Sequence, residues 1–383
     1  MLFRSLGRTG VKLSVLGFGT KYLPENVEND KRWVSIDNAI KAMHRSFELG
    51  INHVDTAYTY NNGLSETATS QALKSWPGKI HIGAKIPTHL IKKRGDYRRY
   101  LEEQLTRLKV ACIDFYYFDN VNYQSFLSID KRANWVREAE KAKDEGLIKH
   151  ISLSFNSPAE EMKLFTDMRL FSVISCGYNL LNFDYNIAIE YAAKKGIGII
   201  TTEPLAGGKI VQLPAKIRTE LNSSTRNNTE LGLRFVIANP SITATLSSMK
   251  TVEMVEENIF YVSDSTPLAA EELKNINLYM SKLHDIAKKI CTNCGDCLPC
   301  PQEVNIPYIF QLYIYYQVYG LKDYAQKKYS SLETDPLVSG KNALSCFHCG
   351  LCIQKCPHQV EIADQLKEFH KTLSPYYRAS TEA

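Results

Sequence analysis

Along residues 13–262, short runs of β-branched and aromatic residues alternate with longer stretches of helical period. The runs fall at 13–20, 53–56, 80–86, 113–120, 150–155, 172–179, 197–205 and 243–249. Most are nearly continuous in apolar character, the pattern of parallel strands covered on both faces. Between them, Ile36, Ala39, Ile40, Met43 and Phe47 form an i, i+3, i+4, i+7 stripe that stops at Gly50, residues 135–143 continue to Gly146, and 187–195 stop at Gly196. A glycine after each helix supplies the left-handed residue that ends it before the next strand. Eight such units predict an α/β fold, a closed (β/α)8 barrel. The competing doubly wound sheet would carry a Gly-x-Gly-x-x-Gly turn after its first strand, of which Gly17-Phe18-Gly19 is only a part.

The flanks break this rhythm. Residues 1–12 read as a glycine-turned hairpin that plugs the barrel bottom. A polar turn and a helix over 270–290 follow the last unit. The predicted domains are a barrel over 1–265, a helical linker over 266–290, a cysteine-rich module over 291–373 and a frayed tail over 374–383. Inside the module, 303–341 is read as a helical insertion packed through Tyr308, Phe310, Tyr313, Tyr316 and Tyr319.

Composition narrows the function. A 383-residue chain that is 44% apolar can fill such a core. Its net charge of +5 lacks the clustered Lys and Arg of a nucleic-acid surface. No signal-peptide run opens the chain and no apolar run reaches bilayer length, since the late stretch 306–319 is interrupted by Gln311 and Gln317. The expectation is a cytoplasmic protein with neither a nucleic-acid nor a membrane partner. Its many thiols point to a reducing compartment.

Eight of the ten cysteines lie in two clusters, each ending in Cys-Pro: Cys291, Cys294, Cys297 and Cys300, then Cys346, Cys349, Cys352 and Cys356. The second has the C-x2-C-x2-C-x3-C-P spacing of two-cluster ferredoxins, in which three cysteines of a motif bind one cubane and the fourth serves the other. The expected assignment is one [4Fe-4S] cluster on Cys291, Cys294, Cys297 and Cys356, and another on Cys346, Cys349, Cys352 and Cys300. Two zinc sites or a disulfide framework compete. A repeated quartet with terminal Cys-Pro is not the usual zinc spacing, and nothing in the chain has a secretory signature. Exposed low-potential clusters are oxygen-sensitive, so the iron–sulfur reading points to an anaerobic host.

The strand ends carry the remaining chemistry. The second strand runs into Asp55-Thr-Ala-Tyr-Thr-Tyr60, the third ends at Lys85, the fourth at Asp119-Asn120 and the seventh at Glu203-Pro204-Leu205-Ala-Gly207-Gly208. Together with Leu6-Gly7-Arg-Thr-Gly10, Gly17-Phe-Gly-Thr20, Gly146-Leu-Ile-Lys-His150, Tyr178-Asn-Leu-Leu181 and Glu253-x-x-Glu-Glu-Asn258, their order resembles the aldo-keto reductase superfamily, in the subgroup with a C-terminal two-cluster ferredoxin module. The resemblance covers almost the whole chain. It implies that Asp55, Tyr60 and Lys85 fill three places of a catalytic tetrad. Tyr60 is then the general acid for carbonyl reduction, and the Lys85 cation is expected to lower its pKa. Asp119 stands in the place of the family histidine. Kept protonated by burial and by Asp55, it would polarise an enone; ionised, it accepts hydrogen bonds and donates none. It also reads as a rim residue beside Asn120.

The resemblance further implies nicotinamide-nucleotide contacts at Gly19, Thr20, Ser154, Asn156, Pro204, Leu205, Gly207, Glu257 and Asn258. The pattern departs at Gly177, where the family has glutamine, and at Ser248 and Met254, where it has cations. NADPH, NADH or no nicotinamide all stay open. The implied partners are a small carbonyl or enone substrate and a ferredoxin or other redox protein. Three functions follow: a reductase supplied with electrons through the clusters, an NAD(P)H-dependent reductase with structural or docking clusters, and a non-catalytic electron-transfer scaffold.

Overall fold

The apolar runs are buried as their composition requires: Val54, Ala84, Phe115, Leu153, Ile174 and Ile200 have no exposed surface. A computed structural model describes residues 1–28, 31–263, 268–335 and 338–374. Eight parallel strands close into a barrel in chain order: β1 (Leu16–Gly19), β2 (His53–Ala57), β3 (His81–Lys85), β4 (Ile113–Asp119), β5 (Ile148–Phe155), β6 (Val173–Gly177), β7 (Gly198–Thr202) and β8 (Ala244–Ser247), with β8 paired to β1.

The first predicted strand is two. Lys12–Ser14 pairs antiparallel with Phe3–Ser5 outside the barrel, and only Leu16–Gly19 enters it. The break follows from Ser14, whose N–H donates to Asn52 Oδ1 (2.9 Å) and whose hydroxyl donates to the Leu16 carbonyl (2.7 Å). The hairpin's Leu6 and Leu13 are fully buried in one cluster with Phe115, Tyr117, Val173, Ile200, Ala244 and Leu246, so they fill the barrel interior as the plug reading requires. An antiparallel pair, Glu25–Glu28 with Lys31–Val34, was not anticipated.

Three helices matter for the site: α1 (Ile36–Glu48), which buries Ala39, Met43 and Phe47, α2 (Leu64–Lys74) and α3 (Asp96–Leu108). Helix α4 (Val252–Ser263) follows β8. Two compact units emerge, one of residues 1–207 and 229–268, the other of 208–228 and the residues from 269 onward. The strand–helix rhythm gives no sign of the excursion at 208–228.

The second unit holds α5 (Ala270–Ile290), α6 (Ile306–Gln317), α7 (Lys322–Ser330) and α8 (Ile362–Leu373). Phe310 and Tyr316 of α6 pack with Tyr329 of α7 and Phe369 of α8, while Tyr308 and Tyr313 are partly buried against them. The Tyr313 and Phe369 rings stack at 3.7 Å. The unit is internally repeated. Glu303 N–H donates to the Cys300 carbonyl (2.9 Å) and Gln359 N–H to the Cys356 carbonyl (3.0 Å). The residues before Cys294 and Cys349, Asn293 and His348, both have φ of 58°. Of the expected tail, all but Ser374 lies outside the described residues. Among the described residues, no helix is long and apolar enough to cross a membrane.

Candidate active site and cysteine cavities

Register brings the strand-end residues together. Asp55 pairs with Gly83, Lys85 with Tyr117 and Asp119 with Ser154 across successive strands. Gly83 is required there, because a Cβ would stand 2.8 Å from Asp55 Oδ2 and 3.1 Å from the Tyr117 ring. Lys85 Nζ forms an ion pair with Asp55 Oδ1, both side chains only 3% exposed. The same ammonium lies 5.3 Å from the Tyr60 ring centroid and 5.4 Å from that of Tyr117. Tyr60 opens a tight turn in which Asn61 and Asn62 take φ of 50° and 54°. The turn is fixed by Asn61 Nδ2 donating to the Thr20 carbonyl (3.2 Å) and Ser65 Oγ donating to the Tyr60 carbonyl (3.0 Å).

The charges act as follows. Burial opposes the Lys85 ammonium, but Asp55, Tyr60 and Asp119 outweigh it and hold Lys85 protonated, above the ordinary lysine range. Burial also raises the Asp55 carboxyl against the pull of Lys85. For Tyr60 the expected direction is reversed. Burial, with Asp55 and Asp119, outweighs Lys85 and Lys21 and raises the phenol above its ordinary value. Asp119 is raised as expected, chiefly by burial, while Lys85, the Ser154 hydroxyl, Lys21 and His89 work against it; repulsion between Asp119 and Asp55 acts on the Asp55 carboxyl in the same direction. The resting site therefore favours a protonated phenol and disfavours ionisation of Asp119, around the buried Lys85 cation.

A buried polar network behind Lys85 carries no signature in the sequence. Gln104 of α3 donates through Nε2 to Glu66 Oε1 (2.5 Å) and to the Lys85 carbonyl (3.3 Å), and accepts from the Tyr116 hydroxyl (2.7 Å). Arg107 pairs with Glu66 (2.7 Å) and lies 4.5 Å from the Tyr58 ring centroid. Glu66 stands six residues after Tyr60, but only the fold reveals what it touches. Lys21, 3.7 Å from Glu203, is a second cation acting on Tyr60.

The residues expected to contact a nucleotide are placed in several ways. Gly19 ends β1, and Thr20 is buried with its hydroxyl donating to the Asp55 carbonyl (3.0 Å). Ser154 is half-buried beside Asp119, while Asn156 is exposed and donates to Asn120 Oδ1 (3.3 Å). Pro204 is buried, Leu205 half-buried and Gly207 exposed in the turn after β7. Glu257 accepts from the Tyr261 hydroxyl (2.6 Å), and the buried Asn258 donates to Ser247 Oγ (3.2 Å). A Cβ at Gly177 would meet nothing within 4 Å, so the place of the family glutamine is open space. The cations absent at 248 and 254 have neighbours the sequence did not flag: Lys41 of α1 and Lys250 line one open cleft with Thr251, Glu25 and Glu253.

In the second unit the cysteines line two small cavities. One is bordered by Cys291, Cys294, Cys297 and Cys356 with Ile306, Phe310 and Ile362. The other is bordered by Cys300, Cys346, Cys349 and Cys352, with Cys297 also at its edge. Each quartet thus gathers three cysteines of one motif and the last of the other, around space walled by apolar side chains. Four soft thiol donors in such a cavity fit an iron–sulfur group.

The aldo/keto reductase family matches residues 15–278, more than half of the chain. The chain belongs to this family. A 4Fe-4S dicluster domain matches residues 290–361, so this family member is an oxidoreductase of aldo-keto reductase type with a C-terminal iron–sulfur domain. It is similar to L-galactose dehydrogenase of Arabidopsis thaliana, 26% identical over 70% of this chain and 90% of that protein. It is also similar to an uncharacterized oxidoreductase, YqkF, of Bacillus subtilis, 23% identical over 71% of this chain and 94% of that one. Among solved structures, the holo form of an aldo-keto reductase from Bacillus halodurans superposes with a TM-score of 0.62 at 23% identity, covering 73% of this chain and 96% of the other. That likeness shows the reductase fold.

Proposed function

We propose that the barrel reduces a small carbonyl or enone, with Tyr60 as proton donor supported by Lys85 and Asp55, and with electrons supplied through the C-terminal domain. The observation that carries this reading is the buried Lys85–Asp55 pair 5.3 Å from the Tyr60 ring. The reduction takes two electrons and two protons: as the electrons arrive, negative charge builds on the oxygen and Tyr60 O–H transfers its proton there, while the carbon takes its proton from water. The phenolate left behind is stabilised by Lys85, whose charge Asp55 fixes. The raised phenol keeps its proton until that charge develops. Burial shifts Asp119 toward its protonated form, and whenever it carries that proton it donates a second hydrogen bond and draws density from a conjugated C=C, which favours enone substrates.

Cys291, Cys294, Cys297 and Cys356 would hold one [4Fe-4S] cluster, and Cys300, Cys346, Cys349 and Cys352 the other. When bound, such groups supply electrons singly. A second reading, in which NADPH or NADH delivers a hydride in the barrel, is favoured by the cleft that Lys41 and Lys250 line. The intact Lys85–Asp55 pair speaks against a barrel without catalysis.

The test uses anaerobically reconstituted protein with measured iron and sulfide, offered reduced viologen, NADPH or NADH with a panel of carbonyls and enones. Tyr60→Phe should lose roughly 100-fold or more in turnover, the scale of general acid catalysis, with iron content unchanged. Turnover of that variant within a few-fold of the parent on every substrate would sink the role of Tyr60. The reductant that supports turnover separates the two electron sources.

A further inference from the structure

The two cysteine cavities differ at their rims. From Cys291 onward, the described residues expose four large apolar side chains: Leu298 (41%), Leu344 (70%), Phe347 (59%) and Leu351 (44%). Phe347 and Leu351 border the cavity of Cys300, Cys346, Cys349 and Cys352. Leu344 stands two residues before Cys346, and Leu298 lies between Cys297 and Cys300. The other cavity is edged by Thr292, Gly295 and His358, with Thr292 Oγ1 and His358 Nε2 3.2 Å apart, and has no exposed large apolar side chain. The internal repeat makes this asymmetry informative, because the two motifs share backbone geometry and differ in what they show to solvent. Near this rim Lys341 pairs with Glu303 (2.8 Å).

We infer that this apolar rim docks a protein one-electron carrier, and that the quartet of Cys300, Cys346, Cys349 and Cys352 is where electrons enter or leave. The inference rests on the proposed reading that these quartets hold redox clusters. Phe347 and Leu351, which border the cavity, offer roughly 200 Å² of apolar surface at these exposures, a small part of what each side of a stable interface buries. That is too little for a lasting dimer of this chain and suits a short-lived electron-transfer encounter. A contact made through apolar side chains is little screened by ions, so this docking should be nearly insensitive to salt. Exchange oxidises the carrier by one electron and reduces the docked quartet's side by one, with no atom transferred.

The experiment compares reconstituted full-length parent with Leu298→Ser/Leu344→Ser, with Phe347→Ser and with Thr292→Lys at the other rim. Stopped-flow traces follow electron transfer from a reduced two-[4Fe-4S] ferredoxin and, separately, from reduced methyl viologen; iron content and the paramagnetic resonance spectrum are recorded for each protein. The expected result is a loss of about tenfold or more with ferredoxin in the Leu298→Ser/Leu344→Ser and Phe347→Ser variants, the scale of an interface hot spot. Viologen rates and spectra should match the parent. Thr292→Lys should behave as the parent, and the ferredoxin rate should change by less than about threefold across a wide salt range. Unchanged ferredoxin rates in both apolar-rim variants, loss only in Thr292→Lys, steep salt dependence, or a parent dimer that the rim variants abolish would each overturn the inference while leaving the cluster reading intact. A parent that takes up no iron and sulfide overturns both together.

Discussion

Asp119 shows how one side chain sets what a site prefers. A neutral carboxyl donates a hydrogen bond and an ionised one only accepts, so the proton on Asp119 decides between polarising a conjugated carbonyl and repelling its growing charge. Burial raises its pKa, hence the donating form is populated below that raised value and lost as pH climbs through it. Enone turnover should therefore fall on the alkaline side as Asp119 ionises. Asp119→Asn, which always donates, should retain binding and part of the activity while losing that limb of the profile. Asp119→His should move the ratio of kcat/KM toward simple ketones, by roughly tenfold, the scale of one well-placed hydrogen bond to a charged group. Profiles for a matched ketone and enone pair decide it, and an identical alkaline limb in Asp119→Asn would remove the residue from the chemistry. At this scale the sequence was informative about identity and poor on state. The order of Asp55, Tyr60, Lys85 and Asp119 along the chain places them at strand ends, yet the direction of the Tyr60 shift came out opposite, because a string of letters does not show how much water each group has lost.

Helix α3 positions the site from behind. Its residues Tyr97, Leu101, Leu105 and Leu108 form the buried face, and Gln104 sits among them with no exposed surface. The amide of Gln104 holds both Glu66 on α2 and the Lys85 carbonyl at the end of β3, so it ties two helices to the strand end that presents the ammonium. Gln104→Leu would leave the Tyr116 hydroxyl and a carboxylate oxygen buried without this partner, at a cost of about 1–3 kcal/mol for each group. The expected outcome is a clear loss of melting temperature together with a several-fold fall in kcat and little change in KM. Gln104→Met serves as a second apolar replacement. A fall in stability with kcat intact would make the network purely structural. Element boundaries were legible to within a few residues wherever apolar runs and glycine stops coincided. They failed at 13–20, where Val15-Leu16 reads as one strand and the chain is turned by Ser14 and Asn52. Gln104 was hidden for a related reason: a helical stripe is found by its apolar members, and a polar residue among them reads as solvent-facing until its partners are known.

At the scale of the whole chain, the division of labour among the cysteines makes the strongest prediction. If each quartet borrows its last thiolate from the other motif, residues 290–361 are interlocked, and neither site can form from one motif alone. Single cysteine replacements cannot test this, since any of them removes one cluster under crossed or uncrossed assignments. Pairs can. Cys300→Ser/Cys346→Ser takes both ligands from the same cavity in this structure and should keep about four irons with one paramagnetic signal. Cys291→Ser/Cys300→Ser takes one ligand from each cavity and should lose nearly all iron. An uncrossed arrangement gives the reverse result in both proteins, so iron analysis alone discriminates. Because cluster assembly closes loops within the second unit only, chelation should destabilise α6–α8 while a melting transition of the barrel persists. Loss of both transitions on iron removal would mean that the two units fold as one, and that the barrel's chemistry depends on the cysteines for more than electrons.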